Sequence, residues 1–475
     1  MNFISIRFYI FLILLLILYY IIPKKYQWLI LLIGSIYFYY VNAGELIIYL
    51  FFSTLISYFS TKVLSKNKNK IILFCSIILI LLPLIYLKYI NFFIDVIHLN
   101  KHLNIILPLG ISFYTLQLIA YIVDVYKDKI KNEKNILKLF LFSSYFPQIL
   151  QGPIPRYNDL KNQFDKEHTF KIEFLKSGFQ LIIFGLFLKL VIADRANILV
   201  STVFDSFESY PGFYILIAGI LYSFQLYTDF YGCTCLARGI SLLFGIELKN
   251  NFNHPYFSES IKEFWRKWHI SLSSWLRDYV YIPLGGNRKG KIRQKLNLLI
   301  VFIVSGFWHG AGYKYLVWGI IHGFYQIIGE ITIPIKEKFN NKFKIKTNVF
   351  SYHLFKKFIT FILVMLAWII FRASSLKSGI KMIYLMVTTF NPWIIFDDSL
   401  YNLGLDIKNF NLLLFSILGL IVFEIMQSKI NIKKKFEKQN MVFKYLVYIV
   451  VIICIAIFGV YGPSYNSSDF IYGGF

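Results

Sequence analysis

Charged side chains are scarce in this chain: they make up 16% of its 475 residues, against 57% hydrophobic and 19% aromatic. Water-soluble globular domains carry about 25% charged residues, so that class is excluded and a membrane interior is the solvent the composition fits. Cysteine is equally sparse. Cys75, Cys233, Cys235 and Cys454 form no Cys-x-x-Cys spacing, which argues against structural disulfides and against a zinc site. There is no serine-hydrolase elbow, no His-Glu-x-x-His and no Gly-rich phosphate loop, so neither metal-dependent nor nucleotide hydrolysis has its usual sequence support. Internal repeats, low-complexity linkers and soluble stretches are lacking too, and residues 1–475 read as a single membrane-embedded unit.

What the chain has instead is a succession of apolar runs near the roughly 20 residues that cross a bilayer. They cover 3–23, 26–41, 45–64, 71–91 and 105–126, then 175–193, 212–231, 296–308, 314–333, 356–373, 410–427 and 441–462. Lipid offers backbone groups no hydrogen-bond partner, so runs of this length are expected as helices, giving an all-α polytopic membrane protein. Segments 136–152, 233–248, 263–284 and 379–396 are too short, too polar or too interrupted for simple spans. Several of them are expected to be re-entrant or interfacial pieces enclosed by protein. The first run lacks a basic start, carries Arg7 and has no small-residue cleavage site before Pro23, so it is expected to be retained as a helix.

The formal net charge of +25 does not point to nucleic acid. The basic residues lie in blocks between apolar runs, at 62–70, 127–138, 288–295, 336–346 and 429–438, the pattern that the positive-inside rule produces on the cytoplasmic side. Even numbers of crossings should then separate neighbouring blocks. Between 346 and 429 three apolar runs occur, so one of those is expected not to cross. The 288–295 block also suits anionic phosphates, whether of lipid headgroups or of an acyl donor.

Polar chemistry concentrates between Asn250 and Gly312. His309 lies in Ser305-Gly306-Phe307-Trp308-His309-Gly310-Ala311-Gly312, a run otherwise apolar enough for bilayer depth. An imidazole there forfeits hydration, so it is either a helix-packing residue bonded to a neighbouring carbonyl or part of a functional site. A neutral imidazole also has the pKa range of a general base for a hydroxyl. Upstream, the stretch Phe264 to Arg288 combines Trp265, Arg266, Trp268, His269, Trp275, Arg277, Asp278 and Arg288. On a continuous helix Trp265, Trp268, His269, Leu272 and Trp275 would share one face. That stripe suits packing or an interfacial aromatic belt, yet the charged residues and His269 have no place in a purely apolar wedge. Pro283 and Gly285-Gly286 are expected to end the helix. Downstream, Trp318-Gly319-Ile320-Ile321-His322-Gly323 repeats the combination of a histidine with small neighbours.

Taken together these motifs resemble the membrane-bound O-acyltransferase family, in its bacterial branch of the alginate O-acetylation membrane protein and the peptidoglycan O-acetyltransferase. The likeness runs through 107–115, Phe146-Pro147-Gln148, Gly152-Pro153-Ile154, Lys189 to Arg195 and Gln225 to Phe230. It is strongest over 251–256, 264–288 and Trp308-His309-Gly310. The resemblance implies a helical bundle with re-entrant helices around a central tunnel, in the bacterial inner (cytoplasmic) membrane. It implies that His309 is the essential general base, that His269 is the second family histidine, and that Tyr472 is a candidate acyl relay. An aromatic tail anchored at the interface is the other reading of Tyr472. Trp265, Arg266, Trp268, Arg277, Asp278 and Arg288 are the candidates for donor contact. Acetyl-CoA is then expected as a substrate rather than a bound cofactor, with no metal, and with an extracytoplasmic acyltransferase partner and membrane lipid as associates.

Two departures bear on this. Many relatives carry Ser-Gly-Tyr-Ser-Asp where this chain has Tyr231-Gly232-Cys233-Thr234-Cys235, and Gly473-Gly474 replaces a commoner aromatic and Gln near the end. The missing Asp keeps D-alanyl transfer to teichoic acid from a carrier protein as an alternative. A polysaccharide transporter or export subunit is the alternative outside enzymology, since broken helices with buried polar groups suit transport as well.

Overall fold

The computed structural model describes residues 1–99 and 102–461, and in them the apolar runs are helices. The amino-terminal part contains α1 (Ile6–Ile21), α2 (Gln27–Ala43), α3 (Ile47–Leu64), α4 (Lys70–Val96) and α5 (Ile111–Tyr126). Next come the short buried α6 (Ile136–Ser144), then α7 (Ile172–Leu186), a π-helical turn at Phe187–Ala193, α8 (Asp194–Asp205) and the long α9 (Phe213–Leu243). The signature region forms α10 (Ile261–Lys267), α11 (Ile270–Leu276) and a second π-helical turn at Arg277–Tyr281. It leads into α12 (Gly290–His309) and α13 (Tyr313–Ile331). The remaining main helices are α14 (Phe350–Arg372), α15 (Leu376–Thr388), α16 (Ile407–Lys429) and α17 (Met441–Phe458).

Among the described residues seven helical segments are long and apolar enough to cross a bilayer, and the pair Tyr313–Ile331 and Ile333–Lys342, bent by 47°, makes up to eight. The molecule is a multi-pass membrane protein. Two expected spans fall short, because α1 and α5 each hold 16 residues; the runs 26–41 and 45–64 count as one segment, Lys24–Leu64, and α12 over 296–308 is not among the seven. The odd crossing between 346 and 429 has a physical reason in α15: its 13 residues extend about 20 Å, less than the roughly 30 Å hydrocarbon core.

One expectation is corrected. Residues 233–243 are not a separate re-entrant piece but continue α9 for 31 residues in all. Their polarity is hidden against α7: a Cβ on Gly239 would lie 2.6 Å from the Gly178 carbonyl oxygen, and one on Gly185 2.8 Å from that of Gly232. Backbones this close are the small-residue contact of membrane helices. Gly185→Leu and Gly239→Leu are therefore each expected to cost about 1–3 kcal/mol by overpacking. Thermal unfolding in detergent checks this against Gly329→Leu, whose Cβ would meet nothing within 4 Å and which should leave the midpoint unchanged.

An ion pair joins two of the basic blocks, and polar contacts draw the segment that leads to a third toward them. Lys68 Nζ donates to Asp128 Oδ1 at 2.6 Å and to the carbonyls of Val125 and Tyr126, joining the block at 62–70 to that at 127–138. Arg156 Nη2 meets Asp278 Oδ2 at 2.9 Å, and Tyr279 donates to Asp124 Oδ2 at 2.6 Å. The approach to 288–295 is thereby drawn toward these two blocks, as a positive-inside arrangement requires.

Among the described residues the interior divides into two large apolar cores and a small cluster of Ile183, Leu190, Val191 and Ile455. One is built largely from α1 to α6 and includes Leu272, Trp275 and Trp308. The other is built largely from α8, α9, α14 and α16 and includes Trp265, Trp268 and Trp318. Residues 264–318 therefore run along the seam between them.

Candidate active site

The seam is lined by alternating imidazoles and indoles. His309, the last residue of α12, is 2% exposed. Its ring lies 4.9 Å from Trp308, 5.1 Å from Trp318 and 5.6 Å from Phe371, centroid to centroid. His269 is 1% exposed and packs 6.0 Å from the same Trp308 ring and 4.7 Å from Phe230. His322 sits 5.0 Å from both Trp318 and Trp265. Its Nδ1 accepts a 3.2 Å hydrogen bond from Trp265 Nε1. An indole N–H only donates, so the proton of His322 resides on Nε2.

His269 differs from His322: neither of its ring nitrogens hydrogen-bonds to the described protein. A buried polar group left in that condition costs about 1–3 kcal/mol. Its placement is also costly. The backbone of His269 has φ 44° and ψ 55°, a left-handed conformation that disfavours a Cβ by roughly 1–2 kcal/mol.

That kink corrects the single helical face expected for Trp265 to Trp275. The helix breaks after Lys267, Trp268 is extended, and a new helix starts at Ile270. The segment around Asn251 takes over the peptide groups the break sets free. Asn251 accepts from Ile270 N at 2.9 Å through its carbonyl and from Ser271 N at 3.1 Å through Oδ1, while Asn253 N donates to the Lys267 carbonyl at 3.0 Å. The kink sends Trp265 and Trp268 into one core and Leu272 and Trp275 into the other, leaving His269 between. Asn251→Ala removes the Oδ1 bond and leaves the buried Ser271 N–H without that acceptor, which is expected to cost about 1–3 kcal/mol and to show as a lower thermal unfolding midpoint in detergent.

The donor-contact candidates separate into two groups. Trp265 and Trp268 belong to the aromatic seam, Trp268 stacking against Phe264 at 5.4 Å and contacting Trp368 at 5.2 Å. Arg266 and Arg288 are exposed. Arg277 is exposed and bonds Asp278, which is held in turn by Arg156. Arg277, Asp278 and Arg156 thus form a small ion-pair group, and no ring contact or hydrogen bond joins these charged residues to the histidine cluster among the contacts described above. Tyr472 lies outside the described residues.

Several polar groups escaped the sequence reading as site residues. Lys189, in the π-helical turn after α7, bridges Asp229 at 2.6 Å and Asp194 at 2.9 Å, with all three at most 1% exposed. Asp229 precedes Phe230, the ring against His269. Lys88 from α4 reaches the carbonyl of Trp308. Each is a charge inside an apolar run, which is the signal that marks such residues. Among the described residues no group of three His, Cys, Asp or Glu side chains is arranged to hold a metal ion.

The model of the membrane-bound O-acyltransferase family matches residues 127–376, more than half of the chain. The chain belongs to that family. The matched region contains His269, His309, His322, Asn251 and the Lys189 ion cluster, whereas Lys88 falls before it. Among individual relatives, the chain is 36% identical over 317 residues to the probable alginate O-acetylase of Pseudomonas syringae pv. tomato, covering 65% of this chain and 58% of that protein. Identity to the peptidoglycan O-acetyltransferase of Helicobacter pylori is 37% over 333 residues, 64% and 62% of the two chains. The teichoic acid D-alanyltransferase of Bacillus subtilis is 30% identical over 252 residues, 51% and 62%. The match thus spans about three-fifths of the length of these O-acyltransferase relatives.

Proposed function

We propose that this chain is an O-acyltransferase of a bacterial cytoplasmic membrane. It moves an acetyl group from acetyl-CoA on the cytoplasmic side toward hydroxyls of a cell-surface polysaccharide or of peptidoglycan, and an extracytoplasmic partner completes the transfer. The observation that carries this reading is that two buried imidazoles, His309 and His269, both pack against the indole of Trp308 at the seam of the two cores. Two histidines are costly in such a setting, and acyl transfer to a hydroxyl is a reaction that uses them.

In this reading His309 takes the proton of the acceptor hydroxyl. The hydroxyl oxygen forms the new C–O bond at the thioester carbonyl carbon, the C–S bond breaks, and the departing thiolate receives the proton from the imidazolium. His269, with both nitrogens unengaged by the described protein, is suited to hold the thioester or the acceptor. The exposed Arg277 and Arg288 offer cations to the phosphates of the donor, with Asp278 setting the orientation of Arg277. Tyr472 would be the first acceptor if the acetyl group passes through the protein, its aryl ester being activated for onward transfer.

The lack of a carboxylate over Tyr231 to Cys235 and the match to a teichoic acid D-alanyltransferase favour one second reading, D-alanyl transfer from a carrier protein. Purified protein supplied separately with acetyl-CoA and with a D-alanyl carrier protein distinguishes them. Thiol release from acetyl-CoA, dependent on His309, is the expected result; release from the aminoacyl carrier alone would replace acetylation by D-alanylation.

A further inference from the structure

The end of α12 is held by a neighbouring helix. The last turn of any helix leaves carbonyls without intrahelical donors, and here those carbonyls belong to the residues directly before His309. The Phe307 carbonyl accepts from Tyr89 OH at 2.5 Å and the Trp308 carbonyl from Lys88 Nζ at 2.8 Å. Both donors come from α4, some 220 positions away in sequence. Lys88 also donates to Ser112 Oγ at 3.1 Å, and the carbonyl of Ser112 accepts from Trp308 Nε1 at 3.1 Å. The three residues close a ring of hydrogen bonds that fixes both the backbone and the indole of Trp308. Tyr89 adds a stacked contact on Phe307, 5.0 Å between centroids at 22°.

A lysine inside a membrane span is expensive and is rarely kept without a purpose. Here its charge meets the negative end of the α12 dipole and the faces of Trp308 at 5.9 Å and Tyr89 at 6.0 Å. An apolar side chain such as methionine would leave the Trp308 carbonyl and Ser112 Oγ without this donor and remove one of the holds on the end of α12.

We infer that Lys88 is a positioning residue for His309, clamping the end of α12 so that the imidazole keeps a fixed aim on the reacting groups. The inference rests on the acyltransferase reading for its kinetic test, while the geometric claim stands apart from it. A misplacement of the base by about 1 Å is worth on the order of 100-fold in rate. Lys88→Met should accordingly lower kcat for acetyl transfer by about 10- to 100-fold with the KM for acetyl-CoA unchanged. Lys88→Arg, which keeps a cationic donor, should recover most of the loss, and Tyr89→Phe should show a smaller drop of the same kind.

The second readout is the ¹³C resonance of the His309 imidazole in histidine-labelled protein, identified by its disappearance in His309→Ala. It should move in Lys88→Met and return in Lys88→Arg. An unchanged kcat in a folded Lys88→Met protein, or a rise in KM alone, would overturn the clamp while leaving the acyltransferase reading intact. If the wild-type protein transfers no acyl group, that reading fails instead, and the resonance decides the clamp: a shift in Lys88→Met supports it, and a fixed resonance refutes it. Should Lys88→Met not fold, Tyr89→Phe carries the same two measurements with the same outcomes.

Discussion

Cells carrying His309→Ala are expected to lose the ester groups of their surface polymer, with transfer reduced by about 10²- to 10⁴-fold, the range contributed by a general base. The polymer itself should still be made and exported in normal amount. That separation excludes a transporter or export subunit, for which the same substitution would change flux and leave esterification of the delivered polymer intact. His309 ends α12 and packs between Trp308 and Trp318, so alanine removes the imidazole without altering the glycines at Gly306 and Gly310 that let the helix end approach Tyr315. His309→Gln retains hydrogen-bonding groups but supplies no base near neutrality, and should be about as inactive. A protein that folds at the wild-type level with no ester formed is the outcome to look for, measured by ester content and by polymer yield in the same cells.

Replacing Lys189 by methionine is expected to lower stability by about 3–5 kcal/mol, because it leaves Asp194 and Asp229 buried together without the cation that bridges them. A few kcal/mol is a large share of the stability of any domain, so the loss should be visible as a lower unfolding midpoint in detergent and as reduced membrane yield. The decisive comparison is the triple variant Lys189→Met, Asp194→Asn, Asp229→Asn. Removing all three charges also removes the desolvation penalty, so the triple variant should regain most of the midpoint. A triple variant as unstable as Lys189→Met would mean that the cluster acts through shape rather than charge. Since Asp229 neighbours the Phe230 ring that backs His269, transfer activity is expected to follow the midpoint in this series.

The helices and the central histidines were legible in the sequence because their signals are local. Apolar runs need no partner to be recognised as membrane helices, and Trp308-His309-Gly310 is a contiguous motif. The break at His269 was not legible. Nothing between Trp265 and Trp275 forbids a continuous helix, and the kink exists because Asn251, eighteen positions upstream of His269, supplies the hydrogen bonds that a helix would otherwise provide. The extent of α9 was hidden for the same kind of reason: Cys233, Thr234 and Cys235 look too polar for a span, but they face other helices rather than lipid, all fully buried. Lys88 and Lys189 stood in plain view as charges in apolar runs. What could not be read was their partners, one 220 positions distant and the other 40.

The decisive question is whether a thioester is consumed at His309. Purified protein, reconstituted with acetyl-CoA labelled in its acetyl group and an acceptor polymer bearing free hydroxyls, should transfer label with release of free thiol, and His309→Ala prepared alongside should do neither. Equal label transfer by the His309→Ala protein would contradict the central claim and return His309 to the role of a packing residue between two tryptophans.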